Sequence, residues 1–293
     1  MQKLYCYIGL LFLSIALWIW HSTDNLIITF SDSHIWGLLG ISLLYLCSHL
    51  FRMMRLFLLT LDERDKAFPM LSAHVLTAFP SIFLPFKIGE IIRLYAFYLV
   101  YDRRQKAFAV WIAERFGDIA VITIFILGLY FLNVPVPKEM RNVCLFFVSA
   151  SSLGLMALFA ISRVSIYLNR HLVLNSHTQR GLLILKISYR LRQFELDVYK
   201  SLEGRRSGFL LLSVLIWTVE VLALSLFTNI YVIGQPDWAT LFSSGLLASL
   251  QGNASIAPNF GLYQSIAIIF LTYIFIGLVP LIARMKTLKV KHD

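Results

Sequence analysis

Apolar residues in this chain run in long blocks. Six of them reach the roughly 20 residues a membrane-crossing helix requires: 4–20, 36–60, 107–132, 142–163, 207–232 and 262–283. A block that is apolar on every side offers water no face, and in lipid a helix satisfies its own backbone groups. The pattern therefore predicts an all-α fold, a polytopic transmembrane helical bundle. Two further apolar stretches, 68–100 and 239–261, are interrupted. The first carries Pro80, Pro85 and Gly89 together with Lys87, Glu90 and Arg93, and the second breaks at Gly252, Pro258 and Gly261. Freed backbone groups at membrane depth persist only where protein or a wet cavity meets them. Both stretches are thus predicted to be re-entrant or broken helical hairpins lining an interior cavity, within a single transmembrane domain spanning residues 1–293.

Lys and Arg gather on the cytoplasmic side of membrane ends. With six spans, two hairpins and a cytoplasmic N-terminus, 21 of the 26 basic residues fall on that side, including Arg52 and Arg55 at the end of the second span. Lys138 and Arg141 fall outside, while Lys87, Arg93 and Arg115 fall at membrane depth. The expected location is the cytoplasmic membrane of a bacterium or archaeon, with both termini cytoplasmic. In this arrangement the hairpins enter from opposite sides. Their turns are similar, Pro85-Phe86-Lys87-Ile88-Gly89-Glu90 against Pro258-Asn259-Phe260-Gly261-Leu262-Tyr263-Gln264. Interrupted segments of opposite topology mark the binding site of many transporters.

Composition supports the membrane class: 58% of residues are hydrophobic, 14% are charged and mean hydropathy is +0.74. The net charge of +10 does not indicate nucleic acid, because the basic residues are interleaved with the spans as juxtamembrane charge. Cys6, Cys47 and Cys144 lie in apolar stretches without metal-ligand spacing and read as packing residues. The first apolar run ends at Trp18, Ile19 and Trp20 without a small-residue cleavage site, so it reads as an uncleaved helix.

Residues 164–206 are the one long polar stretch. From Gly181 to Leu202, Leu182, Leu183, Leu185, Tyr189, Leu191, Phe194 and Val198 are interleaved with Lys186, Arg190, Arg192 and Lys200 at helical spacing. This is the pattern of an amphipathic helix on the cytoplasmic interface in contact with anionic lipid head groups, or of a solvated linker helix.

Ionisable groups at membrane depth are functional candidates because of what they cost there. Lys87, Glu90 and Arg93 surround Gly89, where a half-helix start would offer open N–H groups to a phosphate; a Glu90–Arg93 pair that only locks the hairpin is the structural alternative. Glu114, Arg115 and Asp118 form a second patch, with Glu114 and Asp118 four apart on one face, open to either an ion-pair network or a transport role. Glu220 has no basic neighbour in its own helix and is expected to face the same cavity. No HExxH, Walker or GxSxG pattern occurs, the seven histidines are scattered, and no cofactor or metal is expected.

The residues Gly89-Glu90-Ile91-Ile92-Arg93, followed by Glu114-Arg115-Phe116-Gly117-Asp118, resemble the transmembrane region of lysylphosphatidylglycerol synthases, a group also described as flippase-like membrane proteins. The resemblance extends from about residue 4 to 283. It implies lipid translocation. Gln264 stands where that family usually has Glu in a Gly-x-x-Glu turn, which would alter any charge coupling through that acid. The chain ends at Asp293 directly after the last predicted span, so the resemblance implies translocation without aminoacyl transfer.

The reading is a translocator of a phospholipid or lipid-linked sugar, not an enzyme. Lys87, Arg93 and the half-helix amides at Gly89 would hold phosphate, Glu90, Glu114, Arg115 and Asp118 would balance charge, Glu220 would face the same cavity, and Asn253, Asn259 and Gln264 would line the opposite gate. A biosynthetic partner enzyme or a second copy would be a natural companion. The alternatives are a membrane-embedded transferase or hydrolase acting on a lipid-linked substrate with Glu90 or Asp118 as base, and a non-transporting accessory protein of envelope biosynthesis.

Overall fold

The structure, a computed structural model, describes residues 2–23, 26–27, 35–83, 88–131, 138–175, 179–231 and 260–289. Among these residues the fold is all-α, with no strand. The helices are α1 (Gln2–His21), α2 (Ile35–Leu59), α3 (Arg64–Phe83), α4 (Ile88–Val100), α5 (Arg104–Phe131), α6 (Lys138–Asn175), α7 (Gln179–Leu202), α8 (Arg206–Tyr231) and α9 (Phe260–Lys289). A 3-10 turn, Leu61–Glu63, joins α2 to α3.

Among the described residues three helices contain stretches long and apolar enough to cross a membrane: Leu39–Leu59 in α2, Arg206–Phe227 in α8 and Phe260–Gly277 in α9. Helix α1 holds a shorter one, Cys6–His21. The blocks at 107–132 and 142–163 are α5 and α6. Charged Glu114, Arg115 and Asp118 interrupt α5. Helix α6 runs unbroken for 38 residues, well past the predicted end of its span at residue 163. The first interrupted stretch holds α3 and α4, with Pro80 inside α3; residues 84–87 between them lie outside the described residues. Most of the second, 239–261, lies outside the described residues; Phe260 and Gly261 open α9.

By their packing the helices form two compact units, each assembled from separated parts of the chain. The first comprises Met1–Met53, Phe68–Ala96 and Thr218–Asp293, and the second Met54–Ala67 and Phe97–Trp217.

The core of the first unit has two centres. Leu11, Ile15, Tyr45, Phe79 and Ile268 pack together from α1, α2, α3 and α9. Ile41, Leu224, Phe227, Phe260 and Tyr263 pack from α2, α8 and α9. Pro80 cannot donate to the carbonyl four residues earlier, that of Leu76. Tyr7 of α1 donates its hydroxyl to the Leu76 carbonyl at 2.8 Å. A backbone acceptor that α3 cannot satisfy thereby becomes the joint between α1 and α3. Helix α4 comes back against α3 at Gly89, where a Cβ would lie 2.6 Å from the Ser81 backbone nitrogen and 2.7 Å from the Pro80 carbonyl oxygen. Only glycine permits that approach.

In the second unit α5, α6 and α7 pack against one another. Helix α7 turns Gly181, Ser188, Glu195, Val198 and Ser201 inward. Burial pushes the Glu195 carboxyl above the usual carboxylate range, with Arg192 partly opposing. Gly204, at φ +71°, makes the left-handed turn between α7 and α8. Beyond it Arg205 meets Asp62 at 2.6 Å and donates to the Leu58 carbonyl at 3.2 Å. Nearby, Lys106 approaches Asp62 at 3.8 Å and donates to Ser201 Oγ at 3.1 Å.

The joint at Leu76 can be tested by a double substitution. Tyr7→Phe should cost about 1–3 kcal/mol, read as a lower unfolding temperature in detergent. In a Pro80→Ala background the penalty should vanish, because alanine supplies the N–H that proline lacks. An equal penalty in both backgrounds contradicts the assignment.

Candidate functional site

Each unit encloses a cluster of charged and polar side chains. In the second unit it centres on Arg55, near the end of α2 and fully buried. Arg55 Nη1 donates to Asp118 Oδ1 at 2.7 Å and to Ser213 Oγ at 3.0 Å, and Nη2 donates to Glu114 Oε1 at 3.2 Å. Trp217 Nε1 donates to the same Asp118 oxygen at 3.3 Å, and Arg115 Nη1 lies 3.6 Å from Asp118 Oδ2. The Phe209 ring sits 5.7 Å from the Arg55 guanidinium. Glycine at 117 lets α8 this close: a Cβ there would lie 2.6 Å from Phe209 Cζ and 2.8 Å from Ser213 Oγ. Two guanidinium groups face two carboxylates, so the formal charges cancel. An uncompensated charge in such surroundings would cost several kcal/mol.

The cluster in the first unit draws on four helices. From α2, Arg52 Nη2 donates to Glu220 Oε1 of α8 at 2.6 Å, and Ser48 Oγ donates to the same oxygen at 3.1 Å. One turn earlier His49 Nδ1 lies 3.4 Å from Nε2 of His74 on α3, and both rings are buried. One of those two nitrogens must carry the proton of the pair. Tyr45 meets His49 edge-on at 5.1 Å between ring centroids. The charges of Arg52 and of buried Arg93, on α4, both act on His49.

The sequence-derived residues divide between the clusters. Glu114, Arg115 and Asp118 are together in the second unit, and the cation that joins them is Arg55. Glu220 and Arg93 belong to the first unit, as do Gly89, buried at the α3–α4 approach, and half-buried Glu90 in the first turn of α4. Gln264 is buried in the second turn of α9, beside the Tyr263 of the apolar core. Lys87, Asn253 and Asn259 lie outside the described residues.

Sequence reasoning missed Arg52, Arg55, His49 and His74. It counted Arg52 and Arg55 with the cytoplasmic charge at the end of the span 36–60; within α2 both pair with carboxylates of other helices. Their signal was present in the spacing. Tyr45, the adjacent Ser48 and His49, Arg52 and Arg55 return at steps of three or four residues and make a polar stripe along one helix. Among the described residues no group of three or more His, Cys, Asp or Glu side chains is placed to hold a metal ion.

Membrane-length apolar helices that enclose paired charges define a polytopic helical membrane protein with a polar interior. The sequence profile described as Lysylphosphatidylglycerol synthase TM region matches residues 6–274, and the chain belongs to that family. It is thus a membrane protein of a lipid-handling family. No curated protein and no solved structure matches it.

Removing one partner from the Arg55 cluster should unfold it more readily than removing two. Arg55→Met is expected to cost about 3–5 kcal/mol by leaving Glu114 and Asp118 without their shared cation. Adding Asp118→Asn to Arg55→Met should recover part of the loss in a detergent unfolding assay. A single variant as stable as the wild type would show that the cluster does not hold the helices together.

Proposed function

We propose that the protein translocates a phospholipid or lipid-linked sugar across the cytoplasmic membrane, its polar head passing through the protein while its chains stay in lipid. The observation that carries this reading is the polar cluster of the first unit. Enclosing Arg52, Arg93, Glu220, His49 and His74 among helices apolar enough to span a membrane is costly, and that cost marks the cluster as a place for a polar ligand. Membership of a lipid-handling family points the same way.

In this reading Arg93, with Lys87, attracts the phosphate. The first turn of α4, close behind Gly89, adds N–H donors and its positive helix end. Glu90 and Glu220 keep the resting site near neutrality, so that an arriving anion exchanges one ion pair for another instead of entering an unopposed field. Gln264, Asn253 and Asn259 offer uncharged hydrogen bonds at the second interrupted segment. The Arg55 cluster of the second unit holds its helices together, with its charges already matched. The distribution of Lys and Arg supports a cytoplasmic location for both termini.

Purified protein in liposomes carrying a fluorescent phospholipid should expose inner-leaflet label to an external quencher faster than protein-free liposomes do. Glu90→Gln should fall to the protein-free rate while remaining folded and inserted. Activity undiminished in Glu90→Gln would remove that carboxylate from the path. Conversion of a lipid-linked substrate by the purified protein would instead identify an enzyme.

A further inference from the structure

Helix α7 is built inside out by the standard of a water-soluble helix. The residues it buries fully are mostly small or polar, Gly181, Ser188 and Ser201 with Glu195 and a single aliphatic, Val198, while half-buried Phe194 packs against Phe108 of α5. The residues it leaves exposed are apolar, led by Leu182, Leu183, Ile187, Tyr189, Leu191 and Leu196. A helix facing water has its apolar stripe turned to the core. Small residues at the helix–helix contact and aliphatic ones outside are the arrangement found where the surroundings are lipid.

Charge narrows the surroundings further. Lys186, Arg190 and Lys200 stand exposed on the same helix among those aliphatic side chains, and Arg192 is half-buried. Its acidic residues are Glu195, turned inward, and half-buried Asp197. The outer surface is therefore apolar and basic at once. That combination does not suit the hydrocarbon centre, where four cations would each be costly. It suits the boundary, where aliphatic side chains enter the acyl region and lysine and arginine reach back to head groups.

The end of α6 repeats the pattern. Ser165 is buried while Val164, Ile166 and Tyr167 are exposed, with exposed Arg163 and Arg170 beside them. At roughly 1.5 Å per residue, the 38 residues of α6 make a helix of about 57 Å, against a hydrocarbon core of roughly 30 Å. Part of it must emerge, and the emerging part keeps an apolar, basic exterior.

We propose that the outward face of α7, with the adjoining end of α6, binds the surface of a bilayer containing anionic phospholipid, with α7 lying at the head-group boundary instead of serving as a solvated linker. The occupant is fixed by the two properties together: aliphatic area requires acyl chains, and the cationic excess requires anionic head groups. This inference is independent of which molecule is translocated, because α7 and α6 belong to the second unit and the polar cluster proposed for the substrate belongs to the first.

The test is a depth measurement on the full-length protein with its native cysteines replaced by serine. A nitroxide is placed at Leu183 or Leu191, and the protein is reconstituted in vesicles of phosphatidylcholine alone or mixed with phosphatidylglycerol. Relaxation by oxygen, which concentrates in lipid, is compared with relaxation by a water-soluble nickel chelate. The expected result is a preference for oxygen at both positions that deepens with phosphatidylglycerol. Lys186→Gln combined with Arg190→Gln should abolish the added depth without changing the unfolding temperature in detergent. Nickel access dominating in both vesicles would make α7 a solvated linker and overturn the proposal. Exclusion of both reagents would mean that protein, a second copy or a partner, covers the face, and would overturn it equally. A preference for oxygen unaffected by phosphatidylglycerol would refute the anionic part.

Discussion

The constraint behind this structure is that a charge removed from water must find its counter-charge within the protein. By insertion scales a single arginine or aspartate at the centre of a membrane helix costs about 2.5–3.5 kcal/mol. Arg55 escapes that cost by reaching two carboxylates on α5 and a hydroxyl on α8. The same bonds dictate the packing around it. Gly117 must lack a side chain for Ser213 and Phe209 to come in, and Trp217 finds a hydrogen-bond acceptor in Asp118. Ser213 has its hydroxyl turned back to the Phe209 carbonyl at 2.9 Å, so its own donor is satisfied while its oxygen receives Arg55. The same economy recurs along α3 and α9, where Thr77, Ser81, Ser265 and Thr272 return their hydroxyls to carbonyls one turn earlier.

Pairing charges is one way to bury them, and presenting them to a passing ligand is another. The second unit shows the first in its four-residue balance of Arg55, Arg115, Glu114 and Asp118. In the first unit the Arg52–Glu220 pair stands beside two histidines that share one hydrogen bond, with the charge of Arg93 on α4 acting on His49. Imidazoles beside guanidinium groups offer both hydrogen-bond donors and acceptors. In the proposed function this is where an anionic head group would be received and released.

Much of the fold was legible because lipid enforces simple rules. Long apolar blocks announced the helices. The i, i+4 spacing of Glu114 and Asp118 announced a shared face, open to an ion-pair network. The partner itself was not legible. Arg55 stands close to an apparent span end, where charge rules assign it to the flank, and only a helix that continues to Leu59 with α5 and α8 beside it turns it into the centre of a network. His49 and His74 are separated by 25 residues and lie on different helices, so scattered histidines gave no hint of a pair. For α7 the period was legible but its direction was not, because apolar residues face inward in water and outward in lipid.

The central claim, that a lipid head group enters the polar interior of the first unit, is tested most directly by photo-crosslinking. A phospholipid with a photoactivatable group on its head would be reconstituted with the protein, irradiated and mapped by mass spectrometry. The account predicts adducts on α2, α4 and α9 around Arg52, Arg93 and Gln264, suppressed by excess unlabelled lipid of the same head group. Adducts confined to outward positions such as Leu10, Leu13 and Ile124 would contradict it.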